Sequence, residues 1–239
     1  AKSGRDELVR MLLQARAEVD AALRDGGTPL LAAAYKGHDS CVDALLAHRA
    51  CVDAARADGL TPLCQASKAG HVRCVELLLR ARANVEAAGA VYGTTSLLMA
   101  SKGGHTAIVE MLLRYGADTE VAGRAYGTTS LVAAAQHGHA DVVSLLLQWR
   151  AQPFKRLNDG STALQKAEEA GHAEVVALLH AAGQEVYDTS DERGPPVLQF
   201  STTVGRTESA SPSFQAPLTS SSGRDSARSS TGPPVGAPP

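Results

Sequence analysis

Apolar residues recur in blocks along the first three quarters of the chain. Cys41-Val42, Cys74-Val75, Ile108-Val109 and Val142-Val143 are each followed, four residues on, by Leu45-Leu46, Leu78-Leu79, Leu112-Leu113 and Leu146-Leu147. Such positions share one face of a 3.6-residue helix, so each block predicts an amphipathic helix. Three residues before each pair stands a Gly-His dipeptide, at His38, His71, His105 and His139, and a fifth at His172 precedes Val175-Val176. The histidines are 33, 34, 34 and 33 residues apart. Ten residues before each lies a threonine: Thr28, Thr61, Thr95, Thr129 and Thr162.

Thr28-Pro29-Leu30 and Thr61-Pro62-Leu63 read as helix starts, because threonine caps and proline is tolerated in the first turn. The glycine before each histidine ends that helix and reverses the chain. The predicted unit is therefore helix, tight turn, helix, loop. A helix pair of this length cannot bury its apolar face alone, so the copies must stack into a solenoid.

This pattern resembles the ankyrin repeat in its period, its Thr-Pro-Leu start and its Gly-His turn. Thr61-Pro62-Leu63-Cys64-Gln65-Ala66 through Gly70-His71 to Leu78-Leu79 is a near match, as is Thr28 through Leu46. The resemblance covers residues 1 to about 186 and implies an all-α solenoid. Its expected parts are a partial repeat at 1–24 and full repeats at 25–56, 57–89, 90–123, 124–156 and 157–186. Leu12-Leu13 lies 33 residues before Leu45-Leu46, so the chain is expected to start at the turn before a second helix, as a piece of a longer protein.

Three departures from the family pattern bear on the fold. The histidine expected after Thr-Pro-Leu is replaced by Leu31, Cys64, Leu98, Val132 and Gln165. The glycine expected after the second helix is kept as Gly116 and Gly183 but is Arg16, Arg49, Arg82 and Arg150 elsewhere. A left-handed arginine costs roughly 1 kcal/mol relative to glycine. Two loops, 87–92 and 121–126, are one residue longer than the rest. The last copy has His180 where the others have leucine, and a polar run at 164–170, as a terminal capping repeat requires.

Composition changes near residue 187. Of the 53 residues from Tyr187 to Pro239, 30 are Ser, Thr, Pro or Gly, too little apolar surface to offset the ordering entropy, so 187–239 is expected to be a disordered tail. Over the whole chain the net charge is −2, from 23 basic and 25 acidic residues, which argues against a nucleic-acid partner. The longest apolar stretch is about six residues, far below the ~18 needed for a membrane span. Cys41, Cys51, Cys64 and Cys74 form no metal-ligand spacing, and with no recognisable signal segment they point to an intracellular location.

Catalytic motifs are missing: there is no G-x-S-x-G, G-x-x-x-x-G-K-[ST] or H-E-x-x-H. His137-Gly138-His139 reads as the repeat's turn rather than a metal site, and the expectation is no enzyme, no metal, no cofactor and no small-molecule substrate. What the resemblance implies is a protein–protein interaction module or scaffold whose loop tips and exposed first-helix faces line a groove. The matching positions expected to touch a protein partner are Tyr35, Lys36, Asp58, Lys68, Tyr92, Lys102, Tyr126, Gln136, His137, Asn158 and Asp159. Tyr92 and Tyr126 replace a small polar residue in the two longer loops, and either anchor a partner or pack on a neighbouring loop. Lys36, Lys68 and Lys102 suit an acidic patch. Tyr115 and Trp149, with His48 in line, form a second aromatic register that covers helix ends or meets a ligand. The alternative reading is a targeting or regulatory region of a larger ubiquitin-ligase adaptor, kinase or channel.

Overall fold

Each threonine in the repeat opens a short helix. The computed structural model describes residues 2–188, with side-chain surroundings for 7–183, and the expected tail at 189–239 lies outside the described residues. Within that span are α1 (Lys2–Gln14), α2 (Pro29–Lys36), α3 (Asp39–Ala47), α4 (Pro62–Ala69), α5 (Val72–Arg80) and α6 (Ser96–Lys102). They continue as α7 (Thr106–Arg114), α8 (Ser130–Gln136), α9 (Ala140–Gln148), α10 (Ala163–Ala170) and α11 (Ala173–Asp188). No strand occurs among the described residues. At the start of each even-numbered helix the threonine Oγ1 accepts the N3 backbone N–H, from Leu31, Cys64, Leu98, Val132 and Gln165. The positions that lack the family histidine thus carry the capped N–H, and the first four side chains are buried.

The helices form two layers. Even-numbered helices pack in the series α2, α4, α6, α8, α10, and odd-numbered ones in the series α1 to α11. The even layer is the more closely packed, and its residues explain why: Ala33-Ala34, Ala66-Ser67, Ala100-Ser101 and Ala134-Ala135 are buried where neighbours meet. Larger side chains (Val42, Val75, Leu78, Ile108, Leu112, Leu146) fill the space towards the odd layer, all fully buried. Closeness outranks polar satisfaction here, since the buried Ser67 and Ser101 hydroxyls make no hydrogen bond.

Each turn locks the next. His71 Nε2 donates to the Tyr35 carbonyl at 3.1 Å, His105 to Lys68 at 3.3 Å, His139 to Lys102 at 3.0 Å and His172 to Gln136 at 3.2 Å. A carbonyl only accepts, so the ring carries its proton on Nε2. Each ring lies in the notch of the preceding turn glycine. A Cβ on Gly37, Gly70, Gly104 or Gly138 would fall 2.5–2.6 Å from the incoming imidazole, and all four have φ of +70 to +77°. Glycine is required twice over at these points.

Carboxylates make a second set of links, which the sequence analysis did not anticipate. Asp20 accepts the Cys51 N–H at 3.0 Å, and Asp53, Glu86 and Glu120 accept those of Asn84, Asp118 and Gln152 at 2.9 Å. Where the next acid would stand, Phe154 lies against Gly183 instead. That contact corrects the reading of Gly183 as a helix-ending glycine: it lies inside α11, which continues to Asp188. Arg16, Arg49, Arg82 and Arg150 do adopt φ of +60 to +64°, as expected.

Two substitutions test this packing. Leu112 is fully buried between repeats, and Leu112→Ala is expected to lower unfolding stability by about 2–5 kcal/mol in urea titration. Gly104→Ala and Gly171→Ala share a left-handed φ, but only Gly104 faces a histidine. The Gly104 variant is expected to lose clearly more stability, and equal losses would show that the histidine notch contributes nothing.

Candidate functional site

The loops between repeats differ in how they close, and that difference sets which side chains are available. In the short loops an aspartate at the tip bonds the backbone two residues on: Asp25 Oδ1 accepts Gly27 N–H at 3.0 Å, Asp58 Oδ1 accepts Leu60 N–H at 3.1 Å, and Asp159 Oδ1 accepts Ser161 N–H at 2.9 Å. A backbone bond from the glycine three residues ahead completes each turn, as from Gly26 to Leu23, Gly59 to Arg56 and Gly160 to Leu157. The two longer loops close through backbone alone. Gly93 N–H donates to Gly89 O at 2.8 Å and Gly127 N–H to Gly123 O at 2.9 Å, one residue further apart. No tip side chain is needed there, and Tyr92 and Tyr126 occupy the places held elsewhere by the aspartates.

All the loops are nevertheless joined in one ladder. Ala57, Ala90, Arg124 and Asn158 donate their N–H groups to the carbonyls of Asp25, Asp58, Tyr92 and Tyr126 at 2.8–3.1 Å. The tyrosine backbones are fixed by these bonds while the residues themselves stand 64% and 72% exposed.

The remaining expected residues divide by how much of each is already engaged. Tyr35 is exposed on the last turn of α2, with the Lys36 ammonium 5.1 Å from its ring centroid. Lys68 and Lys102 are exposed on α4 and α6 in the register of Tyr35, and Gln136 is exposed in the same register on α8. His137 is exposed but its Nδ1 bonds the Ala133 carbonyl at 2.9 Å, with its ring stacked on His139. Asn158 reaches back to the Ala125 carbonyl at 3.3 Å, closing the fourth loop against the fifth. Asp58 is half-buried and paired with Arg56, and Asp159 is held by Ser161 and faces Lys166 at 3.5 Å.

Those partners set the electrostatics. Burial pushes the Asp58 carboxyl up, but the Leu60 N–H and the Arg56 guanidinium more than offset it and hold it below the usual carboxylate range. Hydrogen bonds from Ser161 lower Asp159 in the same direction. A lowered folded-state value means that each contributes stability above about pH 4 and loses it as pH falls below that. Among the described residues, ion pairs engage Asp58, Asp159 and Glu169 on this face and leave Lys36, Lys68 and Lys102 without one.

Tyr115 and Trp149 are the C-caps of α7 and α9, 50% and 43% exposed. His48, in line with them, bonds its own helix at the Ala44 carbonyl.

Groups for chemistry are scarce. Among the described residues no group of three or more His, Cys, Asp or Glu side chains converges to hold a metal ion. The His137 and His139 rings are parallel at 6.2 Å, with the latter's Nε2 already committed to Lys102. Cys64 is buried with its Sγ 3.9 Å from the Thr94 carbonyl, and burial pushes its thiol up to about 12. Burial likewise pushes Cys74 to about 11. Neither is a nucleophile at neutral pH. Among the described residues no helix is long and apolar enough to cross a membrane.

A family model described as ankyrin repeats, in three copies, matches residues 1–88 and 84–156. The last helix pair, α10 and α11, lies beyond the matched span. No curated protein matches the chain.

Thiol labelling checks the burial of the cysteines. At pH 8 iodoacetamide is expected to modify exposed Cys51 rapidly, and Cys64 and Cys74 only at the rate of unfolding. Fast labelling of Cys64 in the native protein would contradict its place in the core.

Proposed function

The chain belongs to the ankyrin-repeat family, whose members bind protein partners, and on that premise we propose that it is a non-catalytic interaction module or scaffold. The partner contacts the loop tips and the exposed side of the even-numbered helices. The observation that carries this reading is the pair of tip tyrosines. Tyr92 and Tyr126 sit at matching positions of adjacent loops, relieved of any part in closing the turn and exposed on a fixed backbone. A large ring held on an ordered backbone gives contact area at low entropic cost, as binding hot spots require.

Around these anchors, Lys68, Lys102 and the Tyr35–Lys36 pair supply cationic and stacking contacts, and Gln136 and His137 a polar edge. Asp58, Asn158 and Asp159 shape the rim, since their polar groups already hold the loops. Helices packed about 8–10 Å apart place five repeats along roughly 40 Å, enough for a folded partner or an extended segment. Cys51, Cys64 and Cys74 are free thiols, which supports an intracellular setting.

The test is affinity capture from a native lysate with the full chain and a Tyr92→Ala/Tyr126→Ala variant of unchanged circular dichroism and unfolding midpoint. The expected result is a partner retained by the parent and lost by the variant. Capture of the same partner by both would move the interface off the loop tips, with Tyr115 and Trp149 the next register to change.

A further inference from the structure

The charge on the proposed face is unevenly committed. Each tip aspartate and Glu169 at the far end is engaged: Asp25 by Gly27, Asp58 by Arg56, Asp159 by Ser161, Glu169 by Lys166 at 3.1 Å. Lys68 and Lys102 make no ion pair, and the Lys36 ammonium rests only on the Tyr35 ring. Tyr35, Lys68, Lys102, Gln136 and Glu169 all stand three residues before their turn histidine, one per repeat. Along that row Lys68 and Lys102 carry free positive charge, Tyr35 carries none of its own but bears the Lys36 ammonium over its ring, Gln136 is uncharged and Glu169 is cancelled by Lys166.

The row has a fixed pitch, because the histidine bonds hold the backbone at these same positions. His71, His105 and His139 grip the carbonyls of Tyr35, Lys68 and Lys102 themselves. Adjacent helices in close packing lie about 8–10 Å apart. A polyproline II chain repeats every three residues and advances about 9 Å in doing so. Residues three apart in such a chain therefore share one face at the spacing of the row.

Building on the module reading above, we infer that the partner presents an extended acidic segment with carboxylates three residues apart, laid across Lys36, Lys68 and Lys102. The segment runs along the stack and its acidic part ends before Gln136. An extended segment of this kind has little conformational freedom left to lose, which favours its binding. The same pitch sets it apart from a merely acidic protein surface, for which spacing would be immaterial.

Fluorescence anisotropy with the full chain tests this. The probe is a labelled nonapeptide of three Glu-Pro-Pro units. Its controls are the same composition with the three glutamates adjacent, and three Gln-Pro-Pro units. A nine-residue oligouridylate tests for a nucleic-acid surface. The spaced peptide is expected to bind at least about fivefold more tightly than either peptide control, and binding to weaken with salt. Lys68→Glu/Lys102→Glu is expected to lose about tenfold or more, Lys68→Gln/Lys102→Gln a smaller factor, and Arg150→Glu on the other side nothing.

Equal affinity for spaced and clustered glutamates would overturn the register. Tighter binding of oligouridylate, lost in the same variants, would overturn the peptide in favour of nucleic acid. Failure of every acidic peptide while Tyr92 and Tyr126 still capture a partner would remove the acidic segment and leave the module reading intact.

Discussion

The hydrogen bond from each turn histidine to the carbonyl one repeat back is the constraint on which the rest of this stack depends. It crosses every boundary from Tyr35–His71 to Gln136–His172 at 3.0–3.3 Å, and it requires the ring to occupy the notch over a left-handed glycine. One contact therefore fixes three things: the end of one helix, the start of the next, and the distance to the neighbour. His71, His105 and His139 also occupy the N-cap positions of α5, α7 and α9 without capping them, since their rings are used across the boundary. The uncapped N–H groups of these three helices are the cost of that arrangement.

With the pitch set, the two layers divide the remaining work. Alanine and serine let the even helices approach closely, while leucine, valine and isoleucine fill the volume towards the odd layer. The carboxylate links from Asp20, Asp53, Glu86 and Glu120 tie the far ends of the repeats, and the backbone ladder ties the loop tips. The three central boundaries, those crossed by the Tyr35–His71, Lys68–His105 and Lys102–His139 bonds, are thus each held at three separate points. The surface that remains is rigid in backbone and variable in side chain, as a recognition surface needs to be.

Much of this was legible in the residues, for a physical reason. Helix periodicity, threonine caps and Gly-His turns are local rules, and repetition in five copies made each one visible above chance. Even the four left-handed arginines follow from aligning them with Gly116. The carboxylate links were not read, although Asp20, Asp53, Glu86 and Glu120 recur at the repeat's own spacing. An acid in a polar loop looks solvated, and only the fold shows which N–H it faces. Gly183 misled because the same residue serves inside a helix when no turn is demanded there and Phe154 covers it. At the candidate site, sequence placed the tyrosines and lysines correctly on exposed positions but gave no sign that Asp58 and Asp159 were already occupied by Arg56 and Ser161.

The longer loops carry a consequence for how such a surface changes over time. In a short loop the tip aspartate adds a side-chain bond to the closure of the turn, so replacing it by tyrosine loses that bond before any new contact exists. The inserted residue moves closure to the backbone, from Gly93 to Gly89 and from Gly127 to Gly123, and makes the tip side chain dispensable. Insertion first and substitution second is the order that never passes through an open loop. Lengthening by one residue is, in this scaffold, what turns a position under selection for stability into one that drifts freely until recognition claims it.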